Sequence, residues 1–335
     1  MSGHTIMNMF LEALEKILSD NCTSADVRDI EAGGPAGALW RPIEDAGFLD
    51  LLLEEERGGA GLPLTELFPI LECLGRFAMP VPLAQSIVAR AVARSALPAG
   101  MLTLATQTRR GRETVMCQAV PYGAIADYVL ARDESSVLLL SCAFALRETV
   151  GDPRNATANL SWDKPTPLLR MAEGGEYLSA LAAASTAAQL SGAMQRVFDM
   201  TLAHCNTRVQ FGKSIGKFQA IQQQLSVMAE HVLAAAIAAE AAFRPHASGP
   251  STEVPSLLTA AAAKSRTSEA AGQVAATAHA LHGAIGMTDE FDLSVLTRRI
   301  HEWRIAYGAE TYWNRIVGTA VLMGDASLAE FVSTL

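Results

Sequence analysis

Residues 208–222 read RVQFGKSIGKFQAIQ and lie between two long runs rich in alanine and leucine. Such runs are typical of closely packed helices, so this stretch is predicted to be the turn between two helices of a bundle. Arg208 supplies a planar charge suited to phosphate oxygens, Gly212 and Gly216 allow close backbone approach, and Phe211 adds flat apolar surface. Because a helix N-terminus also favours an anion, the turn suits a phosphorylated ring cofactor. An ordinary helix connection stays open as the alternative.

The composition narrows the class of protein. Half of the 335 residues are hydrophobic, 18% are charged, and the net charge is -9. A chain without a basic face is a poor partner for nucleic acid or anionic lipid. The five scattered cysteines form no C-x-x-C pair, so we expect small buried side chains rather than a metal site or a disulfide framework. The first twenty residues indicate an amphipathic helix, not a signal peptide, and the expected location is cytoplasmic.

Three units follow each other along the chain. Helical periodicity marks residues 1–100 as an N-terminal helical domain. Short β-type runs separated by Gly, Asp, Asn and Pro mark residues 101–172 as a reduced β domain. Long helical runs return in residues 173–335, which we expect to form a C-terminal four-helix bundle. The predicted fold class is therefore mainly α with a small β domain.

Three separated segments carry a resemblance to one family. The pattern R-x-Q-F-G-x-x-I-G-x-F-Q-A-I-Q at 208–222 resembles the signature of the acyl-CoA dehydrogenases. Residues 45–63 are similar to the family's N-terminal G-x-x-x-L and E-x-x-G-G-x-G-L elements. Residues 281–293, LHGAIGMTDEFDL, are similar to its L-H-G-G-x-G-x-T-x-E element. The resemblance covers most of the chain and implies the order of domains given above.

The resemblance implies a chemistry and a set of partners. Members of the family oxidise acyl-CoA thioesters to enoyl-CoA with FAD, which lies at an interface between two subunits. The cofactor contacts made by the neighbouring subunit correspond here to Arg208, Gln210, Phe211 and Gln219, together with Gly283. The implied partners are the acyl-CoA substrate, another acyl-CoA dehydrogenase chain in a homo- or hetero-oligomer, and an electron-acceptor flavoprotein.

The chain departs from the family pattern at the positions that perform the reaction. The usual T-E-P-x-x-G-S-D segment for the flavin ring is not found in residues 101–125. Aligning the family's Y-E-G-T element with Tyr307 places Gly308 at the position of the catalytic glutamate. The alternative position of the base, in the helix before the 208–222 turn, holds Ala182. Glu310 is the least unfavourable substitute, although two residues along a helix rotate a side chain by about 200°.

Three functional hypotheses remain open from the sequence. The first is a half-site subunit of a heteromeric acyl-CoA dehydrogenase, in which a longer partner chain holds most of the FAD. The second is a self-sufficient homo-oligomeric dehydrogenase with a relocated base such as Glu310. The third is a flavin-free scaffold or acyl-CoA-binding protein that keeps the bundle for assembly.

Overall fold

The computed structural model describes residues 3–93, 97–244, 255–288, 291–324 and 327–333. The helices are α1 (Gly3–Asn21), α2 (Ser24–Glu31), α3 (Gly37–Asp45), α4 (Phe68–Arg76), α5 (Leu83–Ala93), α6 (Gly175–Thr207), α7 (Gln219–Ala241), α8 (Leu257–His282), α9 (Leu293–Ile305), α10 (Glu310–Met323) and α11 (Leu328–Ser333). The strands are β1 (Leu102–Ala105), β2 (Thr108–Arg110), β3 (Thr114–Val120), β4 (Tyr128–Asp133), β5 (Ser136–Ser141), β6 (Leu146–Thr149), β7 (Ala158–Asp163), β8 (Leu169–Met171), β9 (Val209–Gln210) and β10 (Lys213–Ser214). Helices, then strands, then helices follow in the predicted order.

The β unit is a sandwich of two four-stranded sheets. One sheet has the order β1-β4-β5-β8 and the other the order β2-β3-β7-β6. Successive side chains of a strand point to opposite faces, so β4 places Val129 and Ala131 between the sheets and Leu130 on the other face. That other face packs against α5 and the start of α6. The first sheet is therefore buried on both sides and fixes the β unit against the helices.

Helix α6 runs through the centre of the molecule. Every residue from Leu178 to Met194 is buried, and the segment contains no charged side chain. A helix that is apolar on all sides can only be placed inside a larger core. Helix α6 packs against α4, α5, α7, α8 and α9, so both helical units share one core around it.

The crossing of α4 and α6 depends on two glycines. A β-carbon at Gly75 would lie 2.0 Å from the carbonyl oxygen of Gln189, and one at Gly192 would lie 1.9 Å from that of Glu72. Neither position can hold a larger residue without moving a helix backbone. Beside the crossing, Ser191 Oγ donates to Glu72 Oε1 at 3.0 Å. The N-terminal helices are thereby held at direct backbone contact with α6.

A buried ion-pair network joins α2, α9 and the β unit. The carboxylate of Glu31 accepts hydrogen bonds from Arg298 at 2.7 Å and from Arg299 at 2.9 Å. Arg299 also pairs with Glu302 at 2.5 Å, and Glu302 accepts from Thr157 Oγ1 at 3.3 Å. The side chains of Glu31, Arg299 and Glu302 are at most 4% exposed. Removing one partner would leave a buried charge uncompensated.

Two features are absent from the residue ranges described above. Within those ranges no helix is long and apolar enough to cross a membrane. The same residues contain no group of three His, Cys, Asp or Glu side chains placed to hold a metal ion. All five cysteines are buried thiols without a disulfide.

Replacing Glu31 with alanine is expected to destabilise the fold strongly. The change leaves the guanidinium of Arg299 short of one partner in a buried site, which costs about 3–5 kcal/mol in free energy of unfolding. The urea midpoint of unfolding measures this loss. Asp292→Ala is the control, because Asp292 makes a half-exposed pair with Arg28 between the same two helices, worth about 0–1 kcal/mol. Equal midpoints for the two variants would contradict the assigned role of the network.

Candidate functional site

The 208–222 stretch forms a tight hairpin between α6 and α7. Strands β9 and β10 pair antiparallel, with Gln210 opposite Lys213. The two residues between them have positive φ angles, 51° at Phe211 and 80° at Gly212, as a two-residue hairpin turn of type I′ requires. A phenylalanine is unfavourable in that conformation. Phe211 nevertheless occupies it and is 90% exposed, so the turn presents an aromatic ring to the outside.

The base of the hairpin is anchored by a small apolar cluster. Ile215, buried, packs with Cys205 of α6, Leu225 of α7 and Leu281 of α8, and Phe218 lies against them. The amide of Ile215 donates to the carbonyl of Arg208 at 2.9 Å, which closes the loop. The hairpin is therefore fixed to three helices while its tip projects.

The predicted cofactor residues share this projecting face. Arg208, Gln210, Phe211 and Gln219 are all exposed, and Arg208 forms no ion pair with another described residue. Gln219 is the first residue of α7, so its side chain adjoins the free amides of a helix N-terminus. By contrast, the Gln222 side chain forms a hydrogen bond within the loop, because its Nε2 donates to the carbonyl of Gly216 at 3.1 Å. A guanidinium, two amides and an aromatic ring are thus all exposed within residues 208–219.

Gly283 directly follows the last residue of α8. Its backbone has φ 64° and ψ −144°, a region open essentially to glycine, and it is exposed. The preceding His282 stacks on His204 of α6 with ring centroids 4.4 Å apart. Burial lowers the pKa of both histidines, and the charge of Arg208 lowers that of His204 further. This stack joins the end of α8 to the helix that carries Arg208.

The two positions assigned to a catalytic base lie at the other end of α6. The helical path is interrupted between α9 and α10 at Tyr307 and Gly308, whose φ angles are 57° and 112°. Ala182 of α6 and Tyr307 belong to one buried apolar cluster, so the two alternative base positions of the family meet in the same place. Neither Gly308 nor Ala182 carries an acidic group, and the surroundings of Ala182 are fully buried.

The interruption between α9 and α10 is stabilised by a buried lysine, which was not identified from the sequence. Lys264 Nζ donates to Ser268 Oγ and to the carbonyl of Arg304, both at 2.8 Å, and to the carbonyl of Gly308 at 3.1 Å. Trp313 Nε1 donates to the same Gly308 oxygen at 3.1 Å. Burial lowers the pKa of Lys264 to about 7. A single lysine inside an alanine-rich run, AAAAKSRTSEAA, was the available signal for a buried polar contact.

Glu310 forms an ion pair with an arginine of the preceding helix. Its carboxylate accepts hydrogen bonds from Arg304 of α9, one of them from Nε at 3.2 Å, and Arg304 lowers the pKa of Glu310. Lys264 lies near the same carboxylate. Tyr307, in contrast, packs among α5, β1 and α6. Glu310 therefore acts as a salt-bridged residue at the start of α10.

A small cavity adjoins the helix break. It has a volume of about 200 Å³ and lies between the ends of β1 and β3 and the 305–308 segment. Its described lining includes the amides of Gln107 and Gln118 and the hydroxyl of Thr106, but no carboxylate. Ligand pockets for small organic molecules usually have ~300–1,000 Å³. The cavity is smaller than this range, and none of its described lining residues carries a carboxylate.

Comparisons with known proteins place the chain in a family. Residues 7–101 match the model of the acyl-CoA dehydrogenase N-terminal domain, and residues 180–322 match that of the C-terminal domain. The chain is 31% identical over 299 residues to acyl-CoA dehydrogenase IpdE2 of Mycobacterium tuberculosis, covering 88% of this chain and 90% of that protein. The chain belongs to the acyl-CoA dehydrogenase family. Its members are oxidoreductases that use FAD.

Solved structures show the same fold at low identity. The crystal structure of the ChsE4-ChsE5 complex from Mycobacterium tuberculosis contains a chain with a TM-score of 0.82 and 23% identity, covering 96% of this chain and 98% of that one. The Tcur3481-Tcur3483 steroid ACAD G363A variant gives a TM-score of 0.82 and 22% identity, covering 97% and 100%. These likenesses confirm the predicted fold class: N-terminal helices, a short β unit and a C-terminal helical bundle. The exact domain boundaries stay a prediction.

A glutamate introduced at position 308 is expected to destabilise the fold rather than to provide a catalytic base. A β-carbon there would lie 2.7 Å from Tyr312 Cδ1 and 3.0 Å from Trp313 Nε1, and the φ of 112° is unfavourable for any other residue. Gly308→Glu should lower the free energy of unfolding by roughly 2 kcal/mol or more. The matched control is Gly318→Glu, because nothing lies near the β-carbon position of Gly318 on α10. A stable Gly308→Glu protein that exchanges the α-proton of an acyl-CoA would refute this assignment.

Proposed function

We propose that this chain is the half-site subunit of a heteromeric acyl-CoA dehydrogenase. It contributes the hairpin face to FAD that is held mainly by a longer partner chain of the same family. The observation that carries the proposal is the contrast between the two ends of α6. One end presents an exposed set of cofactor-type residues, and the other end has no carboxylate at either base position.

The distance between the two ends supports this division. Ala182 and Arg208 are separated by 26 positions along one continuous helix, about 39 Å at 1.5 Å per residue. The hairpin thus lies far from the cavity beside Gly308. A cofactor bound at the hairpin would place its reactive ring in a neighbouring subunit.

The residues of the hairpin suit the phosphate end of the cofactor. The exposed guanidinium of Arg208 can donate two parallel hydrogen bonds to phosphate oxygens. Gln219 and the first amides of α7 add donors at the positive end of a helix dipole. Phe211 offers a flat apolar surface for an adenine or ribose. When bound, FAD supplies a hydride acceptor for the oxidation of the acyl-CoA thioester.

The catalytic base in this proposal comes from the partner. Removal of an α-proton requires a carboxylate within hydrogen-bond reach of the substrate. In this chain Glu310 is held by Arg304, and Glu302 is held by Arg299 in the buried network. Neither side chain is among the described residues that line the cavity beside Gly308. In a self-sufficient enzyme, Glu310 or Glu302 would have to break its ion pair with its arginine before it could act as the base.

The similar structures are consistent with a two-chain assembly. Both the ChsE4-ChsE5 complex and the Tcur3481-Tcur3483 steroid ACAD are combinations of two differently named chains. Their identities to this chain are below 25%, so they support the fold and offer a precedent for pairing. A steroid-derived acyl-CoA is the substrate class that this precedent suggests.

Replacing Arg208 with alanine is expected to weaken flavin retention by the assembly. Hydrogen bonds to charged groups contribute about 1.5–3 kcal/mol, which corresponds to roughly a 10- to 100-fold higher Kd for FAD. The measurement is flavin absorbance per assembly after gel filtration of this chain co-expressed with a longer family member from the same gene cluster.

Arg244→Ala is the matched control for that experiment. Arg244 is an exposed arginine just beyond the other end of α7, where it pairs with Glu240 of its own helix. This variant should retain as much FAD as the unmodified chain. Equal retention by Arg208→Ala and Arg244→Ala, with both proteins folded, would refute the hairpin as a cofactor contact.

A further inference from the structure

Five helices surround a cavity at the junction of the two helical units. It has a volume of about 480 Å³ and lies between α1, the start of α2, the end of α4, the second half of α6 and the start of α9. Protein interiors are close-packed and leave few voids larger than a water molecule. A volume of this size falls within the ~300–1,000 Å³ that small organic ligands occupy. The packing of these helices therefore leaves room for a molecule that is not part of the chain.

The helices around the cavity are fixed on one another, so the cavity is preformed. The crossing of α4 and α6 is at backbone contact, which fixes the end of α4 on α6. The buried ion pairs of Glu31 with Arg298 and Arg299 fix α2 on α9. Arg28 and Asp292 form a further ion pair between the same two helices at 3.0 Å. Ligand sites are usually preformed in this way.

The floor of the cavity is apolar. Its buried side chains are each at most 5% exposed and are those of Cys22, Val27, Ala78, Val295 and Leu296. Phe77 and Met200, both half-buried, extend this surface. Placing apolar ligand surface against such a floor removes it from water, which favours binding.

Two exposed arginines line the wall of the cavity. Arg76 is the last residue of α4, and Arg196 lies on α6. Neither forms a hydrogen bond or an ion pair with another described residue. The nearby carboxylate of Glu72 accepts a hydrogen bond from Ser191 instead. Because a guanidinium offers paired N–H donors that match a carboxylate, these two side chains suit an anionic group.

The charges of the lining favour a ligand with a single negative charge. Besides the two arginines, the described lining holds the carboxylates of Glu15 and Asp292. Asp292 is neutralised by Arg28, which leaves two positive charges against the one negative charge of Glu15. A monoanion balances this excess, whereas a phosphate monoester with two negative charges would exceed it. The ligand class is therefore an apolar carboxylic acid.

We propose that this cavity is a binding site for an apolar carboxylic acid, with the carboxylate on Arg76 and Arg196 and the apolar body against the floor. Along α6, Arg196 lies about 21 Å from Ala182 and about 18 Å from Arg208, at 1.5 Å per residue. The site therefore uses neither the hairpin nor the two positions assigned to a base. It does not depend on the proposed function.

Calorimetric titration of the purified full chain tests the site. The probes are decanoate and decan-1-ol, which share one apolar chain and differ in the charged group. The unmodified chain should bind decanoate at least about tenfold more tightly than decan-1-ol, because hydrogen bonds from arginine to a carboxylate are charge-assisted. The double variant Arg76→Gln, Arg196→Gln should bind decanoate at least about tenfold more weakly and decan-1-ol as before.

The double variant Arg41→Gln, Arg112→Gln is the matched control. It changes the net charge equally, since Arg41 and Arg112 are exposed and neither is among the residues that line the cavity. Exposed substitutions of this kind change stability little, so both double variants should fold. The control should bind both probes as the unmodified chain does.

Three results would overturn the proposal. The first is no binding of decanoate, and the second is equal affinity of the unmodified chain for the two probes. The third is equal affinity of the two double variants for decanoate. The titration requires neither flavin nor a partner chain, so its outcome is separate from flavin retention by the Arg208→Ala assembly.

Discussion

The burial of α6 on all sides is the constraint on which the rest of the structure depends. Between Leu178 and Met194 the helix meets neighbours in every direction, and at Gly192 it touches the backbone of α4. Burying a charge there would cost several kcal/mol unless it were paired. An unpaired carboxylate at position 182, the alternative position of the family's base, would therefore destabilise the fold. The packing that stabilises the helix also removes the groups that the reaction requires.

The same helix separates the two candidate regions of the chain in space. Near the N-terminal end of α6, Lys264 donates hydrogen bonds to the carbonyls of the segment between α9 and α10. The Tyr307 side chain of that segment is buried in the core. At its last end, the 208–222 hairpin is anchored by Ile215 and exposes Phe211 to the outside. The exposed side chains at one end of α6, and the buried region without a carboxylate at positions 182 and 308 at the other, support the proposed half-site subunit.

The sequence predicted the elements that depend on local pattern. Helical periodicity and β-type runs predicted the order of helices, strands and helices, and residues 208–222 were predicted to be a turn between two helices. The family motif also named Arg208 and Phe211, and both of these residues are exposed. The roles of Lys264 and Glu31 could not be predicted in this way. Each depends on partners 35 or more positions away, such as Gly308 and Arg299, which only the packed fold brings together.

The central claim is that this chain completes a flavin-binding site that is formed mainly by another chain. Counting FAD per polypeptide, in the chain purified alone and in its assembly with a longer family member, tests it most directly. The account predicts no retained flavin in the chain alone and one FAD for each pair of unlike chains in the assembly. One FAD per copy of the chain purified alone, reduced on addition of acyl-CoA, would contradict the account.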